Sequence, residues 1–137
     1  MKNNMKIGDI FKVDGKAYNV FIPEDGIKRS FAVLDRDNTT RLTNGDMVRH
    51  VIGTFYNYTI EIDAKYTSKE EYDRLYEVLS APTAFHTLQV PYGQELLTFQ
   101  AYVTSGKDTL KKSAPDGNTW HGLSVYFVAK SPKRRAL

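Results

Sequence analysis

The residues of this chain best suited to proton transfer or metal ligation are its three histidines, His50, His86 and His121, and they stand in separate segments. Zinc sites draw ligands in short paired spacings, and no such pair occurs here. His86 follows Phe85 in a strand-like run, so it is expected on the opposite face, at the sheet surface or partly buried with a backbone partner. The carboxylate pairs Glu24-Asp25, Asp35 with Asp37, and Glu70-Glu71 each have a local role, in a turn, in a loop and in the first turn of a helix. Gly45, Gly53, Gly93, Gly106 and Gly117 are isolated and build no phosphate cradle, and no Gly-x-Ser-x-Gly elbow exists. Ser105-Gly106-Lys107 lacks the upstream glycine and the following helix of a phosphate loop. With no Cys, the chain has no thiolate nucleophile, thiolate metal site or disulfide scaffold, which fits a reducing compartment. The expectation is a protein that is not an enzyme, with no catalytic residue, cofactor, metal or small-molecule substrate. A histidine acting with a carboxylate is the residual enzymatic reading, and the sequence supplies no geometry for it.

Aromatic residues are in excess, with nine Tyr, seven Phe and one Trp. Most fall on strand-like segments, where they serve a β-rich core. Tyr92, beside Pro91, and Tyr102, opposite the Phe99 face, are expected on wet faces, where tyrosine anchors intersubunit contacts. The same aromatics beside Lys107, Lys111, Lys112 and the basic C-terminus also suit stacking on single-stranded nucleic acid, the role of an OB-like barrel. Net charge is only +3, and much of the excess is local: Lys130, Lys133, Arg134 and Arg135 lie within residues 130–137. That tail is expected to be a solvated, frayed terminus, with a phosphate-contacting arm as the alternative.

The elements that position these groups are those of one domain spanning residues 1–137. At 137 residues, 41% hydrophobic and 26% charged, a core forms without staples and disorder is not expected. No 18-residue apolar run exists, and the polar start from Met1 to Met5 lacks the apolar stretch of a secretory signal. Met5 to Val13, the Asp14-Gly15 turn and Ala17 to Ile22 read as a hairpin, continued after Asp25-Gly26 by Arg29 to Leu34 as a short β-meander. Residues 35–50 form a long polar connection, or, if Asn44-Gly45 is a hairpin tip, a projecting two-stranded arm. Val51 to Asp63 alternates Tyr56, Tyr58, Ile60 and Ile62 with polar residues and is the strongest strand. Ser68 to Glu71 forms a capping box, and Tyr72, Leu75, Tyr76 and Leu79 make a helical stripe that ends near Ser80, ahead of Pro82. Three strands follow, Phe85 to Val90, Leu96 to Thr104 and Thr119 to Ala129, with residues 105–118 as a second long polar loop. One helix cannot cover both faces of a parallel sheet. The expected fold is therefore mainly β, an antiparallel β-sandwich or squashed barrel with one flanking helix, with an OB-like barrel as competitor.

From Val48 onward the sequence resembles small tail proteins of phages and prophages of Gram-positive bacteria, of the tail-tube and distal-tail (baseplate adaptor) kind. The likeness runs through Arg49-His50-Val51-Ile52-Gly53-Thr54, the strand Tyr56 to Ile62, Glu71 to Leu79, Phe85 to Gly93, Phe99 to Val103 and Trp120 to Ala129. It implies a tail-tube-like fold whose copies form a hexameric ring around a channel, in a virion tail assembled in the host cytoplasm. Partners would be the chain itself and neighbouring tail proteins, with passive contact to DNA in the channel and no membrane. In that fold the polar loops reach neighbouring subunits. This assigns Arg36, Arg41, Leu42, Asn44, Met47 and Arg49 to a principal intersubunit arm and Lys111 and Lys112 to a second, joined by Tyr92 and Tyr102. Channel-lining faces of such tubes tend to be acidic, and this chain departs from that bias.

Overall fold

A computed structural model describes residues 10–37 and 39–136; the start of the expected first strand, at Met5, lies outside the described residues. In chain order the elements are β1 (Lys12–Val13), β2 (Ile27–Asp35), β3 (Thr40–Arg41), β4 (Met47–Val48), β5 (Val51–Ile62), the helix α1 (Lys69–Leu79), β6 (His86–Tyr92), β7 (Glu95–Ala114), β8 (Gly117–Ala129) and β9 (Arg134–Arg135). The main sheet is antiparallel in the order β1-β6-β7-β8-β5-β2, with β9 also on β5, while β3 and β4 form a separate ribbon. Among the described residues the protein is mainly β with one flanking helix element, as the patterning implies.

The sheet is curled. β5 and β6 are separated by β7 and β8 in the strand order, yet the Tyr58 hydroxyl of β5 donates to the Pro91 carbonyl of β6 at 2.9 Å. The rings of Tyr56 and Tyr92 meet in the same place, 5.2 Å apart. Two halves of one sheet therefore face each other as a squashed barrel. Register shifts in the β7–β8 ladder between Val103 and Ser105, Lys107 and Thr109, and Leu110 and Lys112 supply local bends, as bulges do. Inside, the period-2 residues Tyr58, Ile60 and Ile62 of β5 face Leu123, Val125 and Phe127 of β8, and all six are buried.

α1 closes one open side. Ser68 caps it, its Oγ accepting from the Glu71 amide at 3.4 Å, and Tyr72, Leu75 and Leu79 are buried. Only half of the expected capping box forms. The Glu71 carboxylate accepts from the Asn19 amide at 3.2 Å and pairs with Arg74, so it ties the N-terminal segment to the helix instead of returning to Ser68.

Three expectations need correction. The opening is not a meander: the Asp14-Gly15 turn forms, with both residues at positive φ, but β1 pairs with β6 and β2 with β5. The expected returning strand, Ala17 to Ile22, keeps the alternating burial of a strand, with Tyr18, Val20 and Ile22 in the core, but it joins no ladder, because the Asn19 and Phe21 amides go to the Glu71 and Thr67 side chains and leave only isolated bridges. Residues 105–118 are not a loop. They belong to a hairpin in which β7 runs 20 residues and turns through Pro115 and Asp116 into β8. Nor is the C-terminus frayed, since Arg134 and Arg135 pair with Thr54 and Gly53, and Lys133 and Ala136 donate their amides to Thr54 and Ile52.

Close approach at Gly53 makes that last pairing possible. A Cβ there would stand 2.4 Å from the Arg134 carbonyl oxygen and 2.9 Å from the Pro132 Cβ. Gly53→Ala is expected to release the tail while the barrel stays folded. Brief trypsin treatment followed by mass spectrometry reads this out: cleavage after Lys133 or Arg134 should be at least about tenfold faster in the variant, as for a freed terminus, and equal rates would contradict the packing argument.

Candidate functional site

The arm that sequence reasoning placed at residues 35–50 is the two-stranded form. Thr40 pairs with Val48 and Arg41 with Met47, and the tip turns on Asn44, whose Oδ1 accepts from the Asp46 amide at 3.0 Å. Arg41 donates to the Gly45 carbonyl at 2.7 Å, and Leu42 and Met47 are exposed beside it. At the base the Arg36 amide bonds the His50 carbonyl at 2.7 Å, and Arg49 grips Asp35 through two bonds of 3.1 and 2.7 Å. Because a bidentate pair of this kind fixes orientation, the arm leaves the β2–β5 end in a defined direction.

The second group lies elsewhere. β5 pairs with β8 from Ile62–Leu123 to Tyr58–Phe127, so Val51 and the arm sit at one end of the barrel and the β7–β8 hairpin tip at the other. Residues 117–122 run beyond the last β5 pair, a reach of about 20 Å. Lys111 and Lys112 are exposed there. The hairpin is braced along its length by α1: Lys69 pairs with Asp116 at 3.2 Å, and the Tyr72 hydroxyl donates to Asp108 at 3.1 Å. Burial, and then the Asp108 charge, push the Tyr72 phenol well above its ordinary range.

Tyr92 is not free on a wet face. It is half-buried, with its ring against Tyr56 and the Arg29 guanidinium 5.7 Å from its centre. Tyr102 is exposed and touches the Phe85 ring edge-on at 6.2 Å. The ten expected contact residues thus form no single patch. What sequence reasoning missed is that β2, the strand read at Arg29 to Leu34, is an exposed edge. Among the described residues it is a nine-residue strand at the end of the strand order, paired on one side only, and it exposes Phe31 (71%), Val33 (41%) and Leu34 (44%). A run such as Phe31-Ala32-Val33-Leu34 reads as a buried strand, so no local signal marks it as an edge. Long apolar edges are templates for pairing with another chain, and the opposite edge of the sheet is blunted by the two-residue β1.

His86 corrects its expectation. It is buried, and its partner is a side chain, the Asp14 carboxylate, which meets Nδ1 at 2.8 Å and also accepts the Thr87 amide at 2.9 Å. The ring borders a cavity of about 260 Å³ between the end of α1 and β7, lined also by Ser80, Thr83 and Ser105. The pair's evident work is to tether the first turn to β6. Among the described residues, no group of three or more His, Asp or Glu side chains is placed to hold a metal ion. No helix among them is long and apolar enough to cross a membrane. No family model matches the chain, and no curated protein matches it.

The tether carries a pH dependence of defined sign. Burial by itself raises the Asp14 carboxyl, but bonds from His86 and from the Thr87 amide outweigh it and hold the group below its ordinary range. A carboxyl lowered by folding contributes stability above its unfolded value, and that contribution is lost as pH falls through the folded one. Asn tolerates the positive φ of this position, so Asp14→Asn removes the charge with little backbone cost. The variant is expected to have a lower urea midpoint than the parent at neutral pH, with the gap closing below about pH 4. A gap independent of pH would show that the carboxylate charge contributes nothing.

Proposed function

We propose that the protein is a non-enzymatic structural subunit that associates with its own copies, in the manner of the ring-forming phage-tail proteins its sequence resembles. The observation that carries this reading is the β2 edge, unpaired among the described residues, with Phe31, Val33 and Leu34 exposed, next to a rigidly based arm bearing Leu42 and Met47. Together these offer a strand for addition and a projecting ribbon to hold the neighbour, while the opposite end of the barrel keeps its hairpin braced. An isolated domain gains nothing from leaving such an edge open, whereas a closed assembly of identical subunits covers it. The resemblance supplies the hexameric ring and the place in a tail tube or baseplate; the edge and arm supply a physical means of association.

Mass photometry and sedimentation over a concentration series test the reading. Ring-sized oligomers are expected at raised concentration. Phe31→Lys, at a solvent-facing site, should change stability by no more than about 0.5 kcal/mol yet raise the concentration needed for assembly at least about tenfold, which is a loss of about 1.4 kcal/mol per contact. Deleting Leu42 to Met47 should abolish assembly and leave the thermal transition nearly unchanged. A persistent monomer under all conditions, or variants that assemble like the parent, would count against the proposal.

A further inference from the structure

The C-terminal segment does more than complete the sheet. Arg134 pairs with Thr54 on one edge of β5, and Arg29 pairs with Tyr58 on the other. Side chains alternate along a strand, so Thr54, Tyr56 and Tyr58 share a face and the two arginines flank Tyr56 from both sides of it. Hydrogen bonding from Tyr92, opposed by burial and helped by a hydrogen bond from Arg134 and the Arg134 and Arg29 charges, lowers the Tyr56 phenol. Lys28, Arg49, Lys69 and Arg74 each have a carboxylate partner. The other described Lys and Arg residues have none, and Arg29, Lys133, Arg134 and Arg135 are the ones among them that gather at the Gly53–Tyr58 stretch of β5. Next to them opens a cleft of about 330 Å³ with Tyr56, Leu97, Phe99 and Pro132 as its apolar walls and Lys133 at its rim.

Two demands meet at this place: unpaired cations call for an anion, and a narrow aromatic cleft calls for a flat apolar body. We infer that the cleft binds a short stretch of single-stranded nucleic acid, with successive phosphates held by Arg29, Arg134 and the rim Lys133 and an unstacked base lying against Tyr56 and Phe99. A duplex keeps its bases inside the stack and could satisfy only the cations. The site is at the arm end of the barrel, away from Lys107, Lys111 and Lys112 on the hairpin. It does not depend on self-association, so a monomer that binds and an oligomer that does not are separate results.

Fluorescence anisotropy with the full chain and a labelled oligothymidylate of about 12 nucleotides, from about 20 to 200 mM salt, tests it. Binding is expected with a log–log salt slope near −2, since each single-strand phosphate contact contributes about 0.7. The double variant Arg29→Gln, Arg134→Gln should weaken binding at least about tenfold at low salt and flatten the slope by about 1.4. Tyr56→Leu should weaken binding without altering the slope. Lys65→Gln with Lys107→Gln removes the same charge at the far end and should leave affinity and slope within error. The inference is overturned by absence of binding at about 20 mM salt, by an equal loss in the far-end variant, or by a matching duplex or inorganic phosphate competing as well as the single strand. Near-ultraviolet circular dichroism confirms that each variant is folded.

Discussion

A buried phenol cannot be left without a hydrogen-bond partner, and Tyr58 is almost wholly buried. Its partner is the Pro91 carbonyl of β6, with β7 and β8 between the two strands in the sheet order. Proline has no amide proton to give, but its carbonyl remains available, so the end of β6 accepts from inside the barrel without taxing its own ladder. Satisfying that one hydroxyl sets the distance between the two halves of the sheet and fixes how tightly it curls. The neighbouring features follow from the curl: the Tyr56–Tyr92 contact, the seat of Arg29 over Tyr92 and the space that becomes the Tyr56–Phe99 cleft. Burial, first among the causes, raises the Tyr58 phenol, so it stays a donor through the physiological range.

β5 serves as the hub because it is used on both edges and along its full length. β2 takes one edge; β8 and β9 divide the other, with the Asn57 side chain bridging the gap by accepting from the Ala129 amide at 3.0 Å. A buried side-chain amide in the middle of β5 looks costly, yet it satisfies a backbone donor where β8 peels away. The strand order then distributes roles. One end of the barrel carries the arm, the basic tail and the cleft, and the other carries the hairpin with its helical brace.

Local chemistry made much of this legible. The alternation in β5 identified its buried face, and Ser68 with Pro82 bounded the helix, because those signals act within a few residues. What resisted was long-range competition. The Asp14-Gly15 turn was correctly placed, but β1 lies against β6, more than seventy residues on, and nothing near either strand announces that choice. The hairpin at 105–118 was misread because both its faces are largely wet, so its strands lack the period-2 apolar signature that Leu110 and Trp120 alone cannot supply. The tail was misread for a kindred reason: charge marks a segment as soluble, while its docking is decided by the missing side chain at Gly53. For the candidate surface, the arm was readable from Asn44-Gly45, and the β2 edge was not, since exposure belongs to the strand order.

The division of β5 between β8 and β9 has a consequence for how the chain comes into being. Synthesis is vectorial, and residues 134–135 emerge some eighty positions after the Gly53 and Thr54 they cover. Through that interval the first half of β5 has an open edge. Its partner on the other side, β2, precedes it in the chain, so that edge has its ladder partner already made. Residues 134–135 therefore act as a latch, and a chain interrupted before them retains its core residues while leaving a second edge exposed to association with its neighbours.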